Sequence, residues 1–228
     1  MKLPRFKELL EQTEAMTHTP PPGQMVGPTK AAVLKAVDTY KDKLRSMGIN
    51  LHSNLGSGAN GFVYDMSDGK VAKITKDRTE ANATYRIKGK RLKNVYEIYE
   101  VFELGDLGIF LIIQEKLQPL NPIIEKYWTP AQTALGGFRV NPSEASRTFD
   151  KYWIALERHH SFPSMDSTEY LESKRAFLEV GNGLKELQKN EIKWHDWHIG
   201  NIMQKSSGAY SIIDLGVSQS PMVSIDKI

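Results

Sequence analysis

The sequence predicts an α+β protein of two lobes, a five-stranded antiparallel sheet carrying one helix and then a reduced, mainly helical second lobe. Three observations predict it. Between residues 55 and 115, short alternating and β-branched stretches are separated by glycine-bearing turns, and only about Asp77 to Lys90 has helical spacing. Glu169 to Lys189 is a long helical pattern with Phe177, Val180, Gly181, Leu184 and Leu187 on one face. Behind it, Ile202-Met203 and Tyr210 to Ile213 flank Ser206-Ser207-Gly208 as two short strands of a hairpin. The pattern divides the 228 residues into a helical extension (1–50), a first lobe (51–118) and a second lobe (119–228).

The bulk properties narrow the function classes. Forty per cent hydrophobic and 25% charged residues are ordinary globular usage, and the length is ample for a core. No cysteine is present, which excludes disulfides, thiolate metal sites and cysteine nucleophiles. A net charge of +3 neither demands nor excludes a polyanion, so a nucleic-acid partner is not indicated. The longest apolar run, Ile109 to Ile113, is too short for a bilayer, and Arg5, Lys7, Glu8 and Glu11 break up any apolar signal core. The expectation is a soluble, cytoplasmic protein with no membrane partner.

At the start, Pro4 to Met16 reads as an amphipathic helix and the proline-rich stretch His18 to Gly27 as a linker. Thr29 to Met47 is a second helix, with Val33, Val37, Tyr40, Leu44 and Met47 at helical spacing and Gly48 as its stop. Its apolar stripe fits either a partner protein or, more commonly, the neighbouring domain.

Leu55-Gly56-Ser57-Gly58-Ala59-Asn60-Gly61 has the Gly-x-Gly-x-x-Gly spacing, which alone fits dinucleotide folds as well as phosphate flaps. A dinucleotide fold needs a helix directly after the glycines. Here Phe62-Val63-Tyr64 continues as a strand, Ser67-Asp68-Gly69 turns, and Lys70 to Ile74 returns. Glycines 56, 58 and 61, with Ser57, therefore form a flap whose N–H groups can cover phosphates, and Val63 projects onto a nucleotide base. Val71 and Lys73 share a face, which lets Val71 cap the base while Lys73 reaches the α- and β-phosphates; the competing reading is a solvent-facing lysine. Glu80 is the one glutamate between Asp77 and Lys93, and it lies on a helix face with Ala83, Thr84 and Ile87. That face can turn Glu80 toward Lys73, although a solvated Glu80 is also open. Val95 to Glu103 and Ile109 to Glu115 complete the sheet, and Glu115-Lys116-Leu117 reads as a hinge whose backbone binds adenine.

Gln118 to Thr168 is aromatic-rich and reads as helices and packed turns. His159-His160 and His195-x-x-His198 are weak as metal sites, because no third ligand lies near them. The chemistry gathers in Trp194-His195-Asp196-Trp197-His198-Ile199-Gly200-Asn201, followed by Asp214-Leu215-Gly216. Asp196 stands five positions before Asn201, and Asn201 stands thirteen before Asp214. The hairpin between them gathers two acids and an amide around one point. Phosphoryl transfer needs such a set: Asp196 to take a hydroxyl proton, and Asn201 and Asp214 to hold Mg²⁺ on the phosphates. A polar turn ahead of a hairpin is the plainer alternative.

In this order the glycine flap, Lys73, Glu80, Asp196, Asn201 and Asp214-Leu215-Gly216 resemble the protein-kinase-like superfamily over 55–216. Asp196-x-His198-x-Gly200-Asn201 looks more like its atypical and aminoglycoside-kinase branch, since eukaryotic protein kinases carry lysine at the His198 position. The run through Ile202-Met203, with the Asn94-Val95-Tyr96 opening of the fourth strand, is similar to the early serine/threonine protein kinases of T7-like bacteriophages. Asp214-Leu215-Gly216 departs from the proline-containing version of that group, and the N-terminal helices are not obviously shared. The resemblance implies an ATP- and Mg²⁺-dependent enzyme acting on protein hydroxyls, with host proteins as substrates and the host cytoplasm as its place if phage-encoded. It also implies that His198 touches the transferring phosphate or Asp196. A small-molecule kinase of aminoglycoside type is the alternative, and a pseudokinase scaffold a third. Many protein kinases have an arginine where His195 stands, which reads a phosphate on an activation segment. Ser218, Ser220 and Ser224 offer hydroxyls for modification, self-phosphorylation included, but histidine is a poorer phosphate partner. The expectation is an enzyme active as synthesised.

Overall fold

The computed structural model describes residues 29–124, 154, 167–194, 199–216 and 218–228. The Pro4–Met16 helix, the linker at 18–27, most of the 119–168 insert with its histidine pair, and the stretch 195–198 lie outside them. Among the described residues the architecture is mixed α+β, built on one five-stranded antiparallel sheet with few helices.

Helix α1 (Lys30–Ser46) begins where the Thr29 hydroxyl accepts the Ala32 N–H at 3.2 Å and stops at Gly48, whose φ of 80° is left-handed. The sheet follows as β1 (Asn54–Ser57), β2 (Gly61–Asp65) and β3 (Lys70–Thr75). Helix α2 (Arg78–Ile87) interrupts it before β4 (Ile98–Glu103) and β5 (Phe110–Glu115), and the strand order is β1-β2-β3-β5-β4. Alternation gives the sheet two buried faces. Phe62, Ala72, Ile74, Leu111 and Ile113 pack with Val33, Ala36, Val37 and Leu44 of α1. The α1 stripe is therefore covered by the sheet, while Met47 at its end is exposed. Ile98, Val101, Phe110 and Ile112 on the other face join Ala81, Ala83 and Ile87 of α2.

Two boundaries differ from the sequence reading by about three residues, the others by one or two at most. Helix α2 ends at Ile87 rather than near Lys90, because Gly89 turns left-handed at φ 72° and donates its N–H to the Ile98 carbonyl at 2.9 Å. The fourth strand starts at Ile98 rather than Val95, because 94–96 pairs elsewhere. Tyr96 N–H donates to the Ile212 carbonyl at 3.2 Å, and Ile212 N–H donates to the Asn94 carbonyl at 3.0 Å.

Helix α3 (Thr168–Lys189) is capped by Ser167, and its Phe177, Val180, Leu184 and Leu187 enter the same core as α2. Strand β6 (Lys193–Trp194), a 3-10 turn (Ile199–Asn201) and the hairpin β7 (Ile202–Gln204) and β8 (Tyr210–Ile212) follow; β9 (Ser218–Gln219) pairs back onto β6. Gln118 and Gln204 exchange backbone bonds of 2.8 and 3.0 Å, tying the end of β5 to the hairpin. Residues 226–228 cross to the end of β4: Glu103 N–H donates to Asp226 at 2.8 Å, Ile228 N–H to Glu103 at 3.0 Å, and Gly105 N–H to Ile228 at 2.9 Å. Among the described residues no helix is long and apolar enough to cross a membrane.

Where α3 crosses 94–96, the backbones touch. A Cβ on Gly183 would stand 2.5 Å from the Asn94 carbonyl oxygen and 3.0 Å from Ile212 Cδ1. Gly183→Ala is therefore expected to destabilise the fold by about 1–3 kcal/mol despite its better helix propensity. Urea unfolding followed by circular dichroism checks this, with exposed Lys185→Ala on the same helix moving the midpoint little.

Candidate active site

The flap is shaped by one glycine and left open at two others. A Cβ on Gly61 would fall 1.9 Å from the Ile74 carbonyl oxygen, so only glycine lets β2 approach β3 there. Gly56 and Gly58 have no positive φ, and no atom of the described residues lies within 4 Å of an added Cβ at either position. Packing among the described residues therefore does not require glycine there, and its lack of a side chain leaves this surface of the flap open. The Gly58 N–H closes the bend on the Gly61 carbonyl at 3.0 Å, and Ser57 ends β1 beside it.

Lys73 lies directly opposite Val63 on β2 and Ile112 on β5, and two residues from Val71. The four side chains therefore share the sheet face that turns toward α2. Helix α2 is aimed by its cap: Asp77 Oδ1 accepts the N–H groups of Thr79 at 2.8 Å and Glu80 at 3.2 Å. Small Ala81 and Ala83, both fully buried, let the helix lie close to its neighbours. The predicted face of Glu80, Ala83, Thr84 and Ile87 is wholly buried. Glu80 meets Lys73 with Nζ 2.5 Å from Oε1, and the same Nζ stands 3.1 Å from Asp214 Oδ2.

Asp214 reaches that position through an uncommon backbone, with φ 51° in a non-glycine residue. Three bonds hold it. Trp194 Nε1 donates to its carbonyl at 2.9 Å, Gly216 N–H donates to its Oδ1 at 3.1 Å, and Ile213 N–H beside it donates to the Asn201 carbonyl at 2.9 Å. Asn201 is buried. An added Cβ on Gly216 would stand 3.0 Å from both Asp214 Oδ1 and Asp77 Oδ2, which shows how closely this turn meets the start of α2. The Asp214 carboxylate and the Asn201 side-chain amide are hard oxygen donors, the chemistry Mg²⁺ prefers, while in this structure Asp214 Oδ2 faces Lys73 and its Oδ1 takes the Gly216 N–H. Asp196 and His198 fall on 195–198, outside the described residues, between Trp194 and the 3-10 turn that carries Asn201.

At the hinge, Glu115 N–H donates to Glu97 and Lys116 N–H to Gly69, so of the three predicted residues only Leu117 can offer its N–H to a base. The Glu115 carboxylate accepts the Glu97 N–H at 3.2 Å and lies 3.4 Å from Lys205 Nζ.

The charges reinforce one another. Burial pulls the Lys73 ammonium down, but the Glu80 and Asp214 carboxylates outweigh it and hold Lys73 above the ordinary lysine range. Burial pushes Glu80 up to about 7, opposed by Lys73 and assisted by the charge on Asp214. Tyr96, almost fully buried, is raised well above the usual phenol by burial and then by the charges of Glu80 and Asp214. Tyr96 and Trp194 stand in stretches the sequence singled out, but nothing local in the sequence gave either one a part in this cluster. The chain matches no family model and no curated protein.

A carboxyl raised in the folded state binds its proton more tightly there, so its stabilising contribution is complete below about pH 4.5 and is lost as pH rises through about 7. The stability of the wild type minus that of Glu80→Gln is expected to fall across this window, on the order of 3 kcal/mol. Denaturant unfolding of both proteins between pH 4 and 8 measures it. A flat difference would show that Lys73 cancels the cost of burial and that the Glu80 carboxyl is not raised.

Proposed function

We propose that the chain is an ATP- and Mg²⁺-dependent serine/threonine protein kinase with a two-lobed, protein-kinase-like fold of compact phage type. The observation that carries the reading is the Lys73 ammonium held between Glu80 and Asp214, at 2.5 and 3.1 Å, beside a glycine flap with open positions 56 and 58. A lysine so fixed is a preorganised positive charge that costs no reorganisation when a phosphate meets it. In this reading Lys73 orients the α- and β-phosphates and Glu80 fixes the ammonium. Val63 and Val71 cover the base, and the Leu117 N–H gives it an edge contact. Asn201 and Asp214 hold Mg²⁺, which supplies charge neutralisation on the phosphates when bound. Asp196 accepts the proton of the acceptor hydroxyl, and His198 stands two residues away to contact the transferred group.

Incubation with labelled ATP, either with a bacterial lysate or with a panel of small metabolites, tests the substrate class. Label in protein bands is expected; label confined to small molecules would instead indicate the aminoglycoside type. Asp214→Asn is expected to fold normally and lose nearly all transfer, because it removes the one direct anionic metal ligand of the reading. Asp196→Ala is expected to lose transfer while keeping nucleotide affinity, since a base acts mainly in the transition state. Initial rates and ATP affinities of the two variants separate these roles.

The Lys73–Glu80 pair takes no bond from the described residues beyond Gly216, and α2 is contacted from outside by Met222, whose sulfur lies 2.9 Å from Asn82 Nδ2. Ile225 is buried in the α2 core, and 226–228 is fastened to β4. Enzyme treated with phosphatase, then freed of it, is expected to work at full initial rate. A lag abolished by pre-incubation with ATP would show that activation by self-phosphorylation exists.

A further inference from the structure

We propose that residues 218–228 form a strap that holds Glu80 against Lys73 from outside α2, with Ile225 as its central positioning residue. The effect on nucleotide binding rests on the reading above; the effect on α2 does not. A buried carboxylate favours any movement that returns it to water, and α2 has only 10 residues with which to resist. Glu80 nevertheless stays 1% exposed, so contacts elsewhere on the helix must oppose that movement.

The strap supplies them along its length. At its start Ser218 pairs with Trp194, whose indole holds the Asp214 carbonyl. In its middle, Val223 packs against the α2 core and Ile225 is buried in it, while Asn82 Nδ2 donates to Met222 Sδ at 2.9 Å. Residues two apart on a helix point away from each other, yet polar Asn82 is buried as Glu80 is, so α2 is covered on a second side. At the far end β4 is the edge strand of the sheet, and its Glu103 and the following Gly105 share backbone bonds with 226–228. Lys227 pairs with Asp106, and Ile228 packs against the core under α1. One segment thus joins the support of Asp214, the outer side of α2 and the sheet edge. Ile225 has no part in holding phosphate or base and acts only through the position of α2. Loosening it lowers the fraction of molecules in which Lys73 and Glu80 are paired, and apparent nucleotide affinity falls with that fraction.

Two measurements on the full chain test this. Hydrogen exchange followed by mass spectrometry reads α2 directly. In Ile225→Asp the amides of 78–87 are expected to exchange about tenfold faster, with those of β2 and β3 within about twofold of the wild type. Isothermal titration calorimetry with the Mg²⁺ complex of ATP reads the consequence. Ile225→Asp is expected to weaken binding about tenfold in the wild-type background and by less than about twofold in Glu80→Gln, because both changes break the same pair. Ile225→Val keeps the apolar anchor and is expected to match the wild type in both measurements. Ile225→Ala carries both if the aspartate variant does not fold, with changes of about threefold in the same directions. Unchanged exchange over 78–87, a rise shared equally by β2 and β3, wild-type affinity in the loosened variant, or an equal loss in the two backgrounds overturns the strap. A wild type that binds no nucleotide overturns the phosphotransfer reading instead, and hydrogen exchange then decides the strap alone.

Discussion

Two charges taken out of water at the centre of this protein constrain everything around them. Glu80 is 1% exposed and Lys73 only 14%, and a buried pair of this kind is tolerated only when its geometry is good and its remaining bonding capacity is met. Strand β3 delivers the lysine and helix α2 the carboxylate, so the separation of sheet and helix must be right to a fraction of an ångström. Asp77 fixes the start of α2, Ala81 and Ala83 allow close packing, and Asp214 supplies a second negative group to the same ammonium. If α2 moved outward, Glu80 would lose its partner and Lys73 would be left with Asp214 alone, so part of the compensation for burying the charges would be lost.

The rest of the chain reads as the means of preventing that movement. Residues 94–96 leave the sheet and bond Ile212, which sets the β7-β8 hairpin against the base of α2. Gln118 and Gln204 join the other side of the same hairpin to the end of β5. Arg86 near the end of α2 donates to the Asn190 carbonyl at 3.1 Å and pairs with Glu191, fastening α2 to the end of α3. Beyond Gly216, the chain pairs with β6 and reaches the end of β4. Helix α2 is held by backbone and side-chain bonds at both ends and by a common hydrophobic core along its length. Such a scaffold keeps the charged groups of Lys73, Glu80 and Asp214 aimed at one another.

Asp214 shows how local strain is supported by this frame. A left-handed aspartate is unfavourable by itself, and here its own carboxylate takes the Gly216 N–H while an indole N–H holds its carbonyl. The side chain is thereby committed to one direction, toward Lys73. A sequence cannot display that commitment, because the indole donor is twenty residues away in the chain.

Much of the local structure was legible because it depends on neighbours in sequence. Alternation and turns placed the five strands, and 3.6-residue spacing placed the helices, whose caps Thr29, Asp77 and Ser167 the structure then showed. Those patterns also put Val63, Val71 and Lys73 on one sheet face and gave α2 the buried face that includes Glu80. The boundaries that were misread, the ends of α2 and the start of β4, are those where a distant partner competes for backbone bonds. Val95 and Tyr96 have strand-forming side chains, but Ile212 rather than β5 pairs with their segment. The approach of Asp214 to Lys73 was decided in the same way, by which surfaces close on one another. Local pattern determines which way a side chain points from its own element, whereas its partners are set by long-range packing that no short window of sequence contains.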